Sequence, residues 1–141
     1  MIREVALVGV VGALFVAPVR AADTPEGLAE KAAQSFLMLT DAGDGVASAD
    51  QAAKPINGEV TKEQKERWAR LLADYRVPLG KVISRKVTSR QYSEKVPGAP
   101  DGKYVTIQYE TVFENKASAV ETITPMLDPD GIWRVSGYFI R

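Results

Sequence analysis

The chain has 141 residues, 18 basic and 18 acidic side chains, no net charge, and neither Cys nor His. That length suits one domain, and the even charge balance supplies no basic surface for nucleic acid. The missing Cys and His exclude a Cys nucleophile, a Ser-His-Asp triad, His-ligated zinc and any disulfide, which leaves Asp, Glu, Lys, Tyr, Ser and Thr for any chemistry.

The first 21 residues read as a secretory signal. MIRE carries Arg3, VALVGVVGALFVA is an apolar run, Pro18 breaks it, and Val19-Arg20-Ala21 places small residues where a signal peptidase reads. The run is too short to span a membrane. Cleavage is expected after Ala21, or else after Ala22, with an uncleaved anchor as the alternative. No Cys follows the run, so lipoprotein attachment is excluded. The expected address is the periplasm or exterior of a bacterium, where a chain without Cys needs no oxidative folding.

Thr24-Pro25-Glu26 predicts a helix start, with Thr as cap and Pro at the first position. Leu28, Ala32, Phe36 and Leu39 recur behind it at helical spacing, and DAGDG (41–45) ends the helix. Asp44 then caps a shorter helix with Val46, Ala49 and Ala53 on one face, closed by Pro55 and Asn57-Gly58. Thr61-Lys62-Glu63-Gln64 has capping-box spacing, followed by Trp68, Leu71, Leu72 and Tyr75 at i, i+3, i+4 and i+7. Arg76-Val77-Pro78-Leu79-Gly80 stops this third helix.

From Lys81 onward, β-branched and aromatic residues predict strands over 81–94, 103–114, 118–127 and 132–140. Their connections are short, which makes neighbours antiparallel and the sheet a meander. The expectation for 24–141 is an α+β domain, with N-terminal helices packed on a curved four-stranded antiparallel sheet.

Glu121 raises the one chemical question, because it stands between Val120 and Thr122 in an otherwise apolar strand. Pro129-Asp130-Gly131 suits a three-residue hairpin loop that pairs Asp128 with Ile132. Counting back sets Trp133 opposite Leu127, Val135 opposite Pro125, Gly137 opposite Ile123, and Phe139 opposite Glu121. In the second strand the apolar residues Val105, Ile107, Tyr109 and Phe113 are also odd-numbered. Odd meets odd across ENKAS when that loop holds three or five residues. A two-residue Asn115-Lys116 loop sets Glu121 against Glu110, which like charge disfavours. Glu121 is therefore expected on the apolar face, near Thr111 and Phe139.

Arg85 lies on the same face of the first strand, between Ile83 and Val87. One strand separates it from Glu121, so direct pairing needs bending or a long reach, and a bridging ligand or water fits the gap equally well. The pair reads either as a structural ion pair or as a pocket carboxylate able to move protons. Tyr109, Trp133 and Trp68 are the aromatic candidates to line such a pocket with Glu121 and Arg85. The Asp residues of DAGDG and DPDG lack EF-hand spacing and read as turn residues, so no metal and no cofactor is expected. Thr106, Gln108, Glu110, Val120, Thr122, Thr124, Met126, Arg134, Ser136 and Tyr138 fall on the outer face, which is either solvated or a homodimer contact.

VPLGKVISRKV, PGAPDGKYVTIQYETVFENKASAVETITPML and WRVSGYFIR resemble the domain of unknown function 4019 family of exported bacterial proteins, over about Ala33 to Arg141. DAGDG and SADQAA resemble its second-helix region, with Ala49 where that family leads one to expect Trp. Three helices ahead of a curved sheet also resemble the cone of nuclear-transport-factor-two-like domains, which serve as enzymes, binding modules and dimerisation domains. Three readings of function remain. One is a non-enzymatic exported module that binds a small apolar or amphipathic ligand or a protein. The second is a pocket enzyme of isomerase or hydrolase type with Glu121 as acid or base, and the third is a purely structural dimer.

Overall fold

Pro25–Asp41 forms the first helix, α1, capped by the Thr24 hydroxyl, which accepts from the Gly27 N–H at 3.2 Å. The computed structural model describes residues 16–55 and 58–141. α2 spans Gly45–Asp50 with the Asp44 carboxylate as its cap. α3 spans Lys62–Arg76 behind the reciprocal capping box of Thr61 and Gln64. Four strands follow: β1 (Val82–Ser93), β2 (Tyr104–Phe113), β3 (Lys116–Leu127) and β4 (Trp133–Ile140). They form one antiparallel sheet in the order β1-β2-β3-β4. The architecture is the α+β meander that the pattern of turns implies. Asn57 and residues 1–15 of the expected signal lie outside the described residues. No helix among those described is long and apolar enough to cross a membrane.

The core lies between α1 and the inner sheet face. Ala29, Ala33, Phe36 and Leu37 pack against Val105, Ile107, Tyr109, Ile123 and Val135, with Trp68, Val87, Tyr92, Trp133 and Tyr138 around them. The helix stripes differ from the expected ones. On α1 the buried positions are Ala29, Ala33, Phe36, Leu37 and Thr40, while Leu28 is 40% exposed. On α3 they are Leu72 and Arg76, with Trp68 half-buried, while Leu71 and Tyr75 face water. α3 packs chiefly against α2, and only a narrow line of residues four apart, Trp68, Leu72 and Arg76, turns inward. Tyr75 acts at the rim, where its hydroxyl donates to the Ile140 carbonyl at 2.7 Å and accepts the Ile140 N–H at 2.9 Å.

α2 also stops earlier than expected. Ala53 is not on a helix face; its N–H donates to the Val135 carbonyl, and the Val135 N–H donates to the Gln51 carbonyl. This short parallel bridge covers the free edge of β4, a surface that otherwise templates association.

Bulges set the register. The Pro129-Asp130-Gly131 loop forms as expected, with Gly131 at φ 81° and the Asp128 N–H donating to the Ile132 carbonyl. Leu127 pairs with Trp133 and Pro125 with Val135, but Thr124 then pairs with Gly137, and Glu121 with Ile140. One extra residue, Ser136, enters β4 there, and its hydroxyl donates to the Thr124 carbonyl at 2.6 Å. The cause is Pro125, which sits inside β3 and has no N–H to give the ladder, so the pairing breaks at that point. Phe139 is consequently outside at 48% exposure, and Tyr138 is inside, the reverse of their expected faces.

The β2–β3 connection reaches the expected parity by another route. Phe113 pairs with Lys116 around a two-residue turn, and a bulge in β3 then shifts the register so that Thr111 meets Ala119 and Tyr109 meets Glu121. Odd meets odd without a three- or five-residue loop.

Candidate functional site

Glu121 points inward and is 0% exposed. An isolated carboxylate so placed is prohibitively costly, so its partners explain its presence. Its Oε1 accepts from Thr111 Oγ1 and from Arg85 Nε at 2.6 Å; its Oε2 accepts from Tyr138 Oη at 2.6 Å and from Arg85 Nη2 at 3.2 Å. Four donors meet the four lone-pair directions of the carboxylate, which leaves none for a substrate proton.

Each donor arrives by a different feature of the fold. Thr111 stands opposite Arg85 in β1 and opposite Ala119 in β3, so it lies between the two charged groups. Arg85 spans β2 directly, without a bridging group, from a strand bent by extra residues at Ile83 and Thr88. Tyr138 is brought inward by the bulge at Ser136, and its ring meets Phe36 edge-on at 5.5 Å.

The network continues to the surface through Asp41, the last residue of α1. Arg85 Nη1 donates to Asp41 Oδ2 at 2.7 Å and Arg85 Nη2 to Oδ1 at 3.0 Å, while Arg76 Nη2 donates to Oδ1 at 2.7 Å. The Asp41 side chain is 30% exposed, against 16% for Arg85 and 0% for Glu121. Two guanidinium groups thus face two carboxylates, in a cluster that is neutral as a whole. Burial by itself lowers the Arg85 pKa, but hydrogen bonds to Asp41 and Glu121 outweigh it and hold the guanidinium above its ordinary value. Burial, with the Glu121 charge and hydrogen bond behind it, raises the Tyr138 phenol far above its ordinary value, so this group stays a donor.

Of the expected site residues, the fold brings together Glu121, Arg85 and Tyr109. Tyr109 is 3% exposed and its hydroxyl has no hydrogen-bond partner. Burial first, and then the Glu30 charge, push its pKa up to about 12. Trp68 is one layer away; its Nε1 donates to Ser48 Oγ at 3.1 Å and its ring packs on Phe36 at 6.3 Å. Trp133 is at the far end of the sheet, paired with Leu127, and lines a separate shallow opening with Leu28, Ala32 and Ile132.

Sequence reasoning missed Asp41 and Arg76, read as turn and helix terminator, and placed Tyr138 on the wrong face. A usable signal existed for Arg76, which follows Trp68 and Leu72 at four-residue steps on the inner line of α3. Arg76 is 7% exposed and its carbon Cζ sits 4.6 Å from the centre of the Phe113 ring.

One larger opening flanks the network and another lies at the start of α1. One, of about 440 Å³, is lined by α1, α2 and α3 residues together with Gly80, Lys81 and Glu114. The other, of about 490 Å³, is walled by Ala21, Ala22, the first turns of α1 and Arg90, away from the network. No group of three acidic side chains among the described residues is arranged to hold a metal ion.

Fold and site together define an α+β domain with helices laid on an antiparallel sheet and a neutral ion network that runs from its interior to the surface at Asp41. The chain belongs to the family described as Protein of unknown function (DUF4019), whose model matches residues 32–138. That span runs from α1 to Tyr138 and contains Asp41, Arg76, Arg85, Thr111 and Glu121. No curated protein and no solved structure matches the chain.

Proposed function

We propose that this protein is an exported, non-enzymatic binding or interaction module of the bacterial periplasm or exterior. The observation behind this is the saturation of Glu121: a carboxylate that accepts four hydrogen bonds, two from a guanidinium, has no lone pair with which to abstract a proton. Its role is to order the interior, with Asp41 and Arg76 extending the network to a solvent-open groove. The leader, and the resemblance to exported proteins, support the location. The order of helices and strands also resembles the cone-shaped fold of nuclear-transport-factor-two-like domains, which serve as enzymes, binding modules and dimerisation domains.

A second copy of the chain is a further partner. Phe139 is 48% exposed beside Thr122, whose buried hydroxyl has no partner on the outer sheet face. Gln108 stands on the other side of Thr122, so a self-complementary contact has Phe139 as an apolar anchor with polar neighbours beside it.

The test is native mass spectrometry of the protein isolated from its host's exported fraction, joined to amino-terminal sequencing. The expected result is a chain beginning at Ala22 or Asp23 that carries a non-covalent ligand or a second protein chain. A chain that begins at Met1, or one that turns over an ester or keto substrate with loss of turnover in Glu121→Gln, overturns the reading.

A further inference from the structure

Arg76 is the least satisfied charged group of the buried network. Its Nη2 donates to Asp41, yet Nε and Nη1 are buried and have no partner. A guanidinium carries five N–H donors, and buried donors without acceptors are costly. Arg85, by contrast, uses all three of its nitrogens on Glu121 and Asp41. Stacking on Phe113 compensates the face of the Arg76 group but none of its N–H edges.

Arg76 lines the groove of about 440 Å³. Its walls are chiefly apolar: Ala69, Leu72, Ala73 and Val77 supply carbon, while Gly43 and Gly45 present no side chain. Gly45 cannot be replaced without moving α3, because a Cβ there meets Ala69 Cα at 2.7 Å. The volume is within the range of small-molecule sites, about 300–1,000 Å³. Lys81 at the rim adds a second cation, and Glu114 is held back by accepting the Lys81 backbone N–H at 2.9 Å.

From this we infer that the groove binds an amphipathic monocarboxylate, its head group on Arg76 and its hydrocarbon along Ala69, Ala73 and Val77. A single negative charge is favoured over phosphate because Asp41 already sits against Arg76 and repels a dianion more strongly. The inference deepens the binding-module reading and rests on it.

The test is isothermal titration of the protein with octanoate, 1-octanol and octyl phosphate. Octanoate is expected to bind saturably, and 1-octanol, with the same tail and no charge, about tenfold or more weaker. Arg76→Lys keeps the charge but loses the planar fork, and is expected to weaken octanoate by about tenfold. Because changes at Arg76 disturb a buried network, Ala73→Phe serves as the second variant: residue 73 is exposed on the groove wall, where the added ring blocks the groove and leaves every charged group in place. It is expected to abolish octanoate binding while leaving the unfolding midpoint unchanged. No binding of octanoate, equal binding of 1-octanol, preference for octyl phosphate, or undiminished binding to Ala73→Phe each overturn the inference. Co-purification of a different ligand from the host leaves the binding-module reading standing while this assignment fails.

Discussion

Replacing Glu121 by Gln isolates the charge of the buried network with little change of shape. The side chain is fully buried, so no water can substitute for what the carboxylate provides. Oε1 can remain an acceptor for Thr111 and Arg85 Nε, and Tyr138 can turn to accept from the new amide, so the losses are the counter-charge of Arg85 and the acceptor of its Nη2. Breaking a buried pair from one side costs about 3–5 kcal/mol. Asp41 still holds Arg85 by two hydrogen bonds, which places Glu121→Gln at the lower end, about 3 kcal/mol. Arg85→Met leaves the buried Glu121 carboxyl with only Thr111 and Tyr138 and also strips Asp41 of two donors, which belongs at the upper end, about 5 kcal/mol. The double variant loses both charges at once and should cost less than the sum, with a coupling of about 1–3 kcal/mol. Urea unfolding at neutral pH measures all three through the midpoint, provided the slope is unchanged. A Glu121→Gln variant within about 0.5 kcal/mol of wild type, or additive effects in the cycle, would refute a closed ion network at this place.

Stability should fall at high pH. Tyr109 and Tyr138 have folded-state pKa values raised above the ordinary phenol, about 12 for Tyr109, so the unfolded chain releases these protons first. Their contribution is whole below about pH 10 and drains away as pH rises toward 12 for Tyr109; unfolding midpoints across that window should decline less steeply in Tyr109→Phe. Tyr138→Phe removes one of the four donors to Glu121 and should cost about 1–3 kcal/mol at neutral pH, read by the same urea titration. Asp44→Ala removes the α2 cap, whose carboxylate accepts the Ala47 N–H at 3.0 Å, and should cost about 1 kcal/mol by thermal unfolding. Sedimentation equilibrium at high micromolar concentration should show a dimer that Phe139→Lys dissociates, and a wild-type monomer at every concentration removes the outer-face contact.

Sequence by itself determined the elements. The caps at Thr24, Asp44 and Thr61 and the DPDG loop are local signals, each satisfied within four residues along the chain, and all four form as read. The α+β class follows from that order, and the inward direction of Glu121 follows from matching apolar parity across two strands. Tertiary structure decided the partners. Parity predicts a face but not how far a pairing slips at a proline, so Ser136 entered β4 as a bulge and exchanged Tyr138 for Phe139. Nor does spacing along a helix show that a terminal Asp41 and a terminal Arg76, 35 residues apart, converge on Arg85. Charges at helix ends read as solvated because water is the usual partner there. Only the packing of α1 and α3 beside the sheet brings these helix ends against Arg85 and Glu121, where burial excludes most of that water and the charged groups meet one another instead.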